Sequence, residues 1–140
     1  MNGVFDAYFF DACALIAFLD KEPEGLKVKA LIEQAEAGEC VIRMSAVNWV
    51  EVYYHFIRSA GEETADEIMA AAADLPITLI DTIDPPARRA AACLKARYSM
   101  SLADCFLCAA ALSFQAVVVT KDRELRAAEQ GEGLSVLWIT

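Results

Sequence analysis

Ala7-Tyr8-Phe9-Phe10-Asp11-Ala12-Cys13-Ala14-Leu15-Ile16 sets the frame for the whole chain. Its first four residues are apolar and read as a short buried strand, after which Leu15, Phe18 and Leu19 fall at helical spacing. One carboxylate, Asp11, stands at the seam. An acid there lies just beyond the carboxyl end of a strand, which is where open α/β sheets place their ligands.

Working outward, the first helix is expected over Ala12–Leu19, broken by Asp20-Lys21-Glu22-Pro23. A second helix follows Pro23 and ends at Gly38, with Leu26, Ala30, Leu31 and Ala35 on one face. Cys40–Met44 reads as strand two. Ser45 then caps a long helix that stops near Gly61, with Val47, Val50 and Tyr54 at helical spacing. A further helix over Glu63–Ala73 leads into strand three, Ile77–Ile80. Asp84-Pro85-Pro86 starts a helix that runs to about Arg97, proline being tolerated in a first turn. Ser101 caps the next helix, whose Leu102, Phe106, Leu107, Ala110 and Leu112 make it apolar nearly all round and therefore central. Ala116–Val119 is a continuous apolar run, as in a buried parallel strand. A short helix over Asp122–Gln130 and a last strand over Val136–Ile139 close the chain. Strands alternate with helices throughout. The expected fold is an α/β three-layer sandwich, a mainly parallel sheet of about five strands flanked by helices, in one domain over residues 1–140.

Composition narrows the function. Hydrophobic residues make up 57% of the chain, above the roughly 45–50% usual for soluble domains. Either an Ala-rich helical domain or a surface covered by a second subunit accounts for that. The net charge of −9 argues against a broad basic face gripping nucleic acid by charge alone. It leaves room for nucleic acid where divalent cations neutralise a concentrated negative site. Met1–Asp11 has no basic n-region and carries two aspartates, so a signal peptide is not expected. No run of about 18 apolar residues offers a membrane span. Five cysteines without a regular framework fit reduced thiols in a cytoplasmic protein.

Four acids stand out. Asp11 ends strand one, and Glu51 sits among apolar neighbours in the helix after strand two. Asp104 is three residues after Ser101, at a capping-box spacing, and Asp122 follows strand four, where it can cap the next helix. Each of the last two has a sufficient local explanation. As a set they differ, because a parallel sheet brings strand ends and helix starts to one edge. Carboxylates gathered in a small pocket repel one another strongly without a counter-charge. Hard divalent cations with oxygen ligands, Mg²⁺ or Mn²⁺, are the natural remedy. Such a site activates water for hydrolysis of a phosphodiester. Thr120 adds a hydroxyl able to orient a metal-bound water, or is an ordinary strand-end threonine.

Four motifs carry a resemblance: Phe9-Phe10-Asp11-Ala12-Cys13-Ala14-Leu15-Ile16, Ser45-Ala46-Val47-Asn48-Trp49-Val50-Glu51-Val52, Ser101-Leu102-Ala103-Asp104-Cys105-Phe106 and Val119-Thr120-Lys121-Asp122-Arg123-Glu124-Leu125. In this order and spacing the chain resembles the PIN-domain ribonucleases, and among them the VapC-type toxins of toxin–antitoxin pairs. The resemblance covers essentially the whole chain. It implies that Asp11, Glu51, Asp104 and Asp122 coordinate Mg²⁺ or Mn²⁺. It also implies an endoribonuclease acting on single-stranded or looped RNA, a homodimer, and an antitoxin protein that inhibits by occupying the active-site groove. Many relatives have Ser or Thr where this chain has Cys13. A thiol is a weaker hydrogen-bond donor, so the resemblance carries no water-positioning role to that position.

Cys105-Phe106-Leu107-Cys108 fits a CxxC pattern but lies in an apolar helix without a second pair, and reads as buried small hydrophobes. His55, the single histidine, is one turn after Glu51. Lys121 and Arg123 flank Asp122, either able to meet a phosphate, and Arg88, Arg89, Lys95 and Arg97 read as a solvated helix face. Two other functions compete. One is a non-catalytic PIN-like interaction module. The other is a receiver-like signalling domain with Asp81 as phospho-acceptor, which leaves Glu51 and Asp104 without a task.

Overall fold

The computed structural model describes residues 6–140. The reading of Met1–Asp11 as leader-free falls partly on residues 1–5, which lie outside the described residues. Five strands, β1 (Asp6–Phe10), β2 (Cys40–Ser45), β3 (Ile77–Ile80), β4 (Val117–Thr120) and β5 (Val136–Trp138), form one sheet in the order β3-β2-β1-β4-β5. Every pairing is parallel, with Phe10 opposite both Met44 and Val119. The chain winds outward from β1 to β3, then returns to the centre for β4. The crevice between the carboxyl ends of β1 and β4 is therefore the topological switch point, the place where such sheets bind ligands.

Helices cover both faces. Successive strand residues point to opposite sides, and Phe9 and Phe10 enter different cores. Phe10 packs with α1 (Ala12–Leu19), α2 (Gly25–Glu36), α3 (Ala46–Ala60) and α4 (Glu62–Ala72) through Leu15, Val28, Leu31, Ile42, Val52 and Met69. Phe9 packs with α5 (Pro85–Arg97), α6 (Leu102–Phe114) and α7 (Arg126–Glu132) through Leu94, Leu107, Val118, Leu125 and Ala128. The expected three layers are present.

Side-chain caps fix where several helices begin. Ser45 Oγ accepts from Val47 N at 3.2 Å, Asp84 Oδ1 from Ala87 N at 2.9 Å, and Ser101 Oγ from Asp104 N at 3.2 Å. Each such cap contributes about 1 kcal/mol.

The elements differ from expectation mainly in which face they bury. In α2 the buried residues are Gly25, Val28, Leu31 and Ile32, so Leu26 is 70% exposed and Ala30 also faces outward. Gly25 at the start of α2 leaves no room for a side chain, because a Cβ there would sit 2.3 Å from the Ala17 carbonyl oxygen. That contact sets the helix rotation. In α3 the buried residues are Asn48, Val52 and Phe56, while Val50 and Tyr54 are 62% and 48% exposed. Leu102 of α6 is exposed as well, although the rest of that helix is central. The expected helix from Asp122 is a 3₁₀ turn at Arg123–Leu125 followed by α7. Strand four runs one residue later than expected, through Thr120, and strand five ends at Trp138 rather than Ile139.

Candidate active site

Asp11 follows β1 directly and caps α1, its Oδ1 accepting from Ala14 N at 2.9 Å. The Cys13 thiol donates to the same carboxylate at 3.1 Å, and the Thr120 hydroxyl donates to Oδ2. Asp11 is 2% exposed. Burial pushes its carboxyl up to about 6, against the opposing pull of the Thr120, Cys13 and Ala14 hydrogen bonds. A carboxylate this enclosed stays charged near neutrality only through those donors.

Thr120 is fully buried, and its hydroxyl is used on both sides: it donates to Asp11 and accepts from Asp122 N at 2.8 Å. It ties β1's acid to the turn that carries Asp122. With its single proton committed to Asp11, Thr120 acts on the site through Asp11 and has no proton to give a water. The neighbouring thiol is in the same network, with Sγ 3.6 Å from Thr120 Oγ1 and accepting from Lys121 N at 3.4 Å. Burial, and then the charge of Asp11, push the Cys13 thiol up to about 12, so it remains protonated.

Asp104 lies in the first turn of α6, and Asp122 caps the 3₁₀ turn with its Oδ1 accepting from Glu124 N at 3.0 Å. Both local explanations thus hold, and the two side chains still meet. Asp104, Asp122 and Glu124 each offer a carboxylate oxygen within 4.8 Å of the others. Asp104 is buried, and its carboxyl is pushed up to about 8 by burial first, then by the charge of Asp11 and by contact with Asp122, with Ser101 opposing. Glu124 was not singled out in the sequence. It sits in the 3₁₀ turn that Asp122 caps, and it lines the same cleft as Asp122.

Glu51 reaches the site from α3. Its Oε1 accepts from Asn48 Nδ2 at 2.8 Å, one turn earlier, which leaves Oε2 for another partner. Asn48 is fully buried, and its Oδ1 has no hydrogen-bond partner among the described residues. Asp11, Glu51, Asp104, Asp122 and Glu124 all line one cleft of about 590 Å³. The four acids expected from the sequence are therefore brought together at the switch point. Asp81 is not: it follows the edge strand β3, is exposed, and does not line the cleft.

The flanking residues sort themselves. The Lys121 ammonium is held by Glu22 at 2.9 Å and Glu24 at 3.8 Å. Arg123 is exposed. His55 lines the cleft with its Nε2 3.2 Å from Asp20 Oδ2. Cys105 and Cys108 are free and fully buried in the second core, as small hydrophobes. The donor set around Asp104 is all oxygen and carries more negative charge than it can hold without protons. A divalent cation of the hard type fits that set.

A parallel α/β sheet with clustered carboxylates at its switch point defines a class of acidic-cleft domain. Within that class, a family model for the PIN domain matches residues 8–130, and the chain belongs to the PIN domain family. Its fold is similar to solved toxin–antitoxin structures. A chain of VapBC2 from Rickettsia felis, bound to a DNA fragment from its promoter, is 15% identical with a TM-score of 0.74, covering 94% of this chain and 97% of that one. A chain of DNA-bound VapBC from Salmonella typhimurium is 17% identical, with a TM-score of 0.69 and coverage of 98% and 100%. VapC20 of Mycobacterium tuberculosis, described as a sarcin–ricin loop cleaving toxin, is 16% identical, with a TM-score of 0.66 and coverage of 86% and 94%. No curated protein matches the sequence.

Proposed function

We propose that this chain is a divalent-metal-dependent endoribonuclease and the toxin of a type II toxin–antitoxin pair. The observation that carries the reading is the convergence of Asp11, Glu51, Asp104 and Asp122 on one cleft, where burial pushes the Asp11 and Asp104 carboxyls above their ordinary value. In this reading the four acids, joined by Glu124, hold Mg²⁺ or Mn²⁺. The bound cation would activate water and offset charge on the phosphoryl oxygens. Asp104 would hold the cation as the deprotonated carboxylate. Asp11 keeps its position through Thr120 and Cys13, and Glu51 keeps its position through Asn48. Asp11 accepts an N–H from the first turn of α1, and Asp104 lies in the first turn of α6, where the helix dipole softens the repulsion.

Membership of the PIN domain family supports nuclease chemistry, and a similar fold in a sarcin–ricin loop cleaving toxin supports RNA as substrate. The antitoxin partner is supported by similar folds in VapBC complexes. Exposed Leu26, Val50 and Leu102 support coverage by protein, as a homodimer or by the antitoxin. No helix among the described residues is long and apolar enough to cross a membrane. A single catalytic domain in the cytoplasm fits all of these features.

The test is cleavage of a mixed structured RNA pool by antitoxin-free protein with Mg²⁺, with Mn²⁺ and with chelator, alongside Asp11→Asn and Asp104→Asn. Metal-dependent cutting that both substitutions abolish is the expected result. Folded protein that binds metal and cuts nothing would favour a non-catalytic PIN-like module. Cutting that survives both substitutions would remove the site assignment.

A further inference from the structure

Beyond Glu51, α3 lends the cleft further residues that the proposed chemistry leaves unused. Glu51 is followed on α3 by Tyr54, His55 and Arg58, with Tyr54 and His55 three and four residues on and Arg58 four beyond Tyr54, and all four line the cleft. Tyr54 is nearly half exposed, and the Arg58 guanidinium carbon lies 5.3 Å from the centroid of its ring. Arg58 is the one lysine or arginine among the residues lining this cleft. Although the chain has 21 acidic residues, Arg58 makes no ion pair among the described residues. Lys121 and Arg97, the two lysine or arginine residues with an ion pair among the described residues, are tied to Glu22 and Glu132 and do not line this cleft. His55 is also engaged, with its ring nitrogen on Asp20 and its ring edge-on to Phe56.

We propose that Tyr54 and Arg58 form a nucleotide subsite for the strand that the acids cut. The base stacks on the exposed Tyr54 ring, and the phosphate of the same nucleotide pairs with Arg58. This inference rests on the ribonuclease reading and specifies how its substrate is held. Seven residues of helix separate Glu51 from Arg58, about 10 Å along the axis, a span that a short single strand covers. Stacking needs an unpaired base, so the subsite takes single-stranded or looped RNA and rejects duplex. It is tolerant of sequence, because every base offers a π face. A guanidinium supplies the planar fork that suits a phosphate. The charge pattern favours RNA over a basic peptide along this stripe: the inner end is acidic and meant for cations, and the outer end carries the free cation.

The test uses Asp104→Asn as a non-cleaving parent and a labelled single-stranded RNA pool of random sequence, with binding read by fluorescence anisotropy. Tyr54→Ala is expected to weaken binding about tenfold, and Tyr54→Phe to retain it, since the ring and not the hydroxyl does the stacking. Arg58→Ala is expected to weaken binding and lower the salt slope by about one ion. Leu26→Ala, exposed and outside the cleft, serves as a control that leaves binding unchanged. Binding as tight in Tyr54→Ala and Arg58→Ala as in the parent overturns the subsite. So does equal loss in Tyr54→Phe and Tyr54→Ala. If the wild-type chain cuts RNA while these variants bind normally, only the subsite falls. If the parent neither binds nor the wild type cuts, the ribonuclease reading falls with it.

Discussion

Replacing Asp104 with asparagine is expected to stabilise the metal-free protein while abolishing its response to metal. The folded protein holds the Asp104 proton up to about pH 8, whereas the unfolded chain loses it near the ordinary value of 3.8. Between those values the native state binds more protons than the unfolded state, so stability falls as pH rises. Asp11 adds to the same fall over the narrower window from 3.8 to about 6. At pH 7 the cost of keeping the Asp104 proton is at most about 4 kcal/mol, at roughly 1.4 kcal/mol for each pH step. Asparagine presents a neutral amide in the same shape, able to donate to Asp122 as the protonated acid does, without that cost. Urea unfolding of chelator-treated wild type and Asp104→Asn from pH 5 to 8.5 reads the difference. The variant is expected to be more stable by about 2 kcal/mol or more at pH 8, with its remaining pH dependence confined below about pH 6. Saturating Mn²⁺ should raise the stability of the wild type by about 3 kcal/mol at a hundredfold excess over the dissociation constant, and leave the variant unmoved. Wild-type stability that is flat or rising between pH 6 and 8, or a variant less stable than wild type at pH 8, would refute the reasoning.

Other substitutions probe the supports of the site. Asn48→Leu removes the unpaired buried oxygen and the 2.8 Å bond to Glu51 together. Its unfolding free energy should hold or rise by about 1 kcal/mol, while Mn²⁺ affinity drops several-fold; lower stability with unchanged affinity would contradict this. Cys13, with its thiol pushed up to about 12, should be alkylated by iodoacetamide roughly a thousandfold more slowly than an ordinary cysteine. Mass spectrometry should therefore find Cys93 modified well before Cys13. Gly25→Ala, forced against the Ala17 carbonyl at 2.3 Å, should cost about 1–3 kcal/mol in thermal or urea unfolding. A neutral effect there would mean that α2 is free to rotate.

The strand–helix alternation was legible because the strands are short apolar runs and several helix starts carry a capping residue: Ser45, Asp84 and Ser101 cap as their positions suggested, while the capping of α1 by Asp11 was seen only in the structure. The acids were legible for a related reason. A parallel sheet sends its strand ends and helix starts to one edge, so residues far apart in sequence, such as Asp11 and Asp122, share a site once the topology is known. Face assignment was less legible. In α3, apolar residues occupy most positions on every side, so Val47, Val50 and Tyr54 fit helical spacing as well as Val52 and Phe56 do. The deciding partners lie in α1 and α4, which the local sequence does not name. Glu124 escaped notice because its orientation depends on a 3₁₀ turn, whereas a continuous helix was expected from Asp122. Thr120 was seen, but burial committed its proton to Asp11, and burial of a strand-end hydroxyl is a property of the assembled sheet.

The central claim is that this cleft exists to hold a divalent cation on its carboxylates. Calorimetric titration of Mn²⁺ into metal-free protein at pH 8 tests it most directly, with wild type and Asp104→Asn compared. Saturable binding by the wild type, accompanied by proton release and lost in the variant, is the expected result. Equal affinity in the two proteins, or no binding by either, would contradict it.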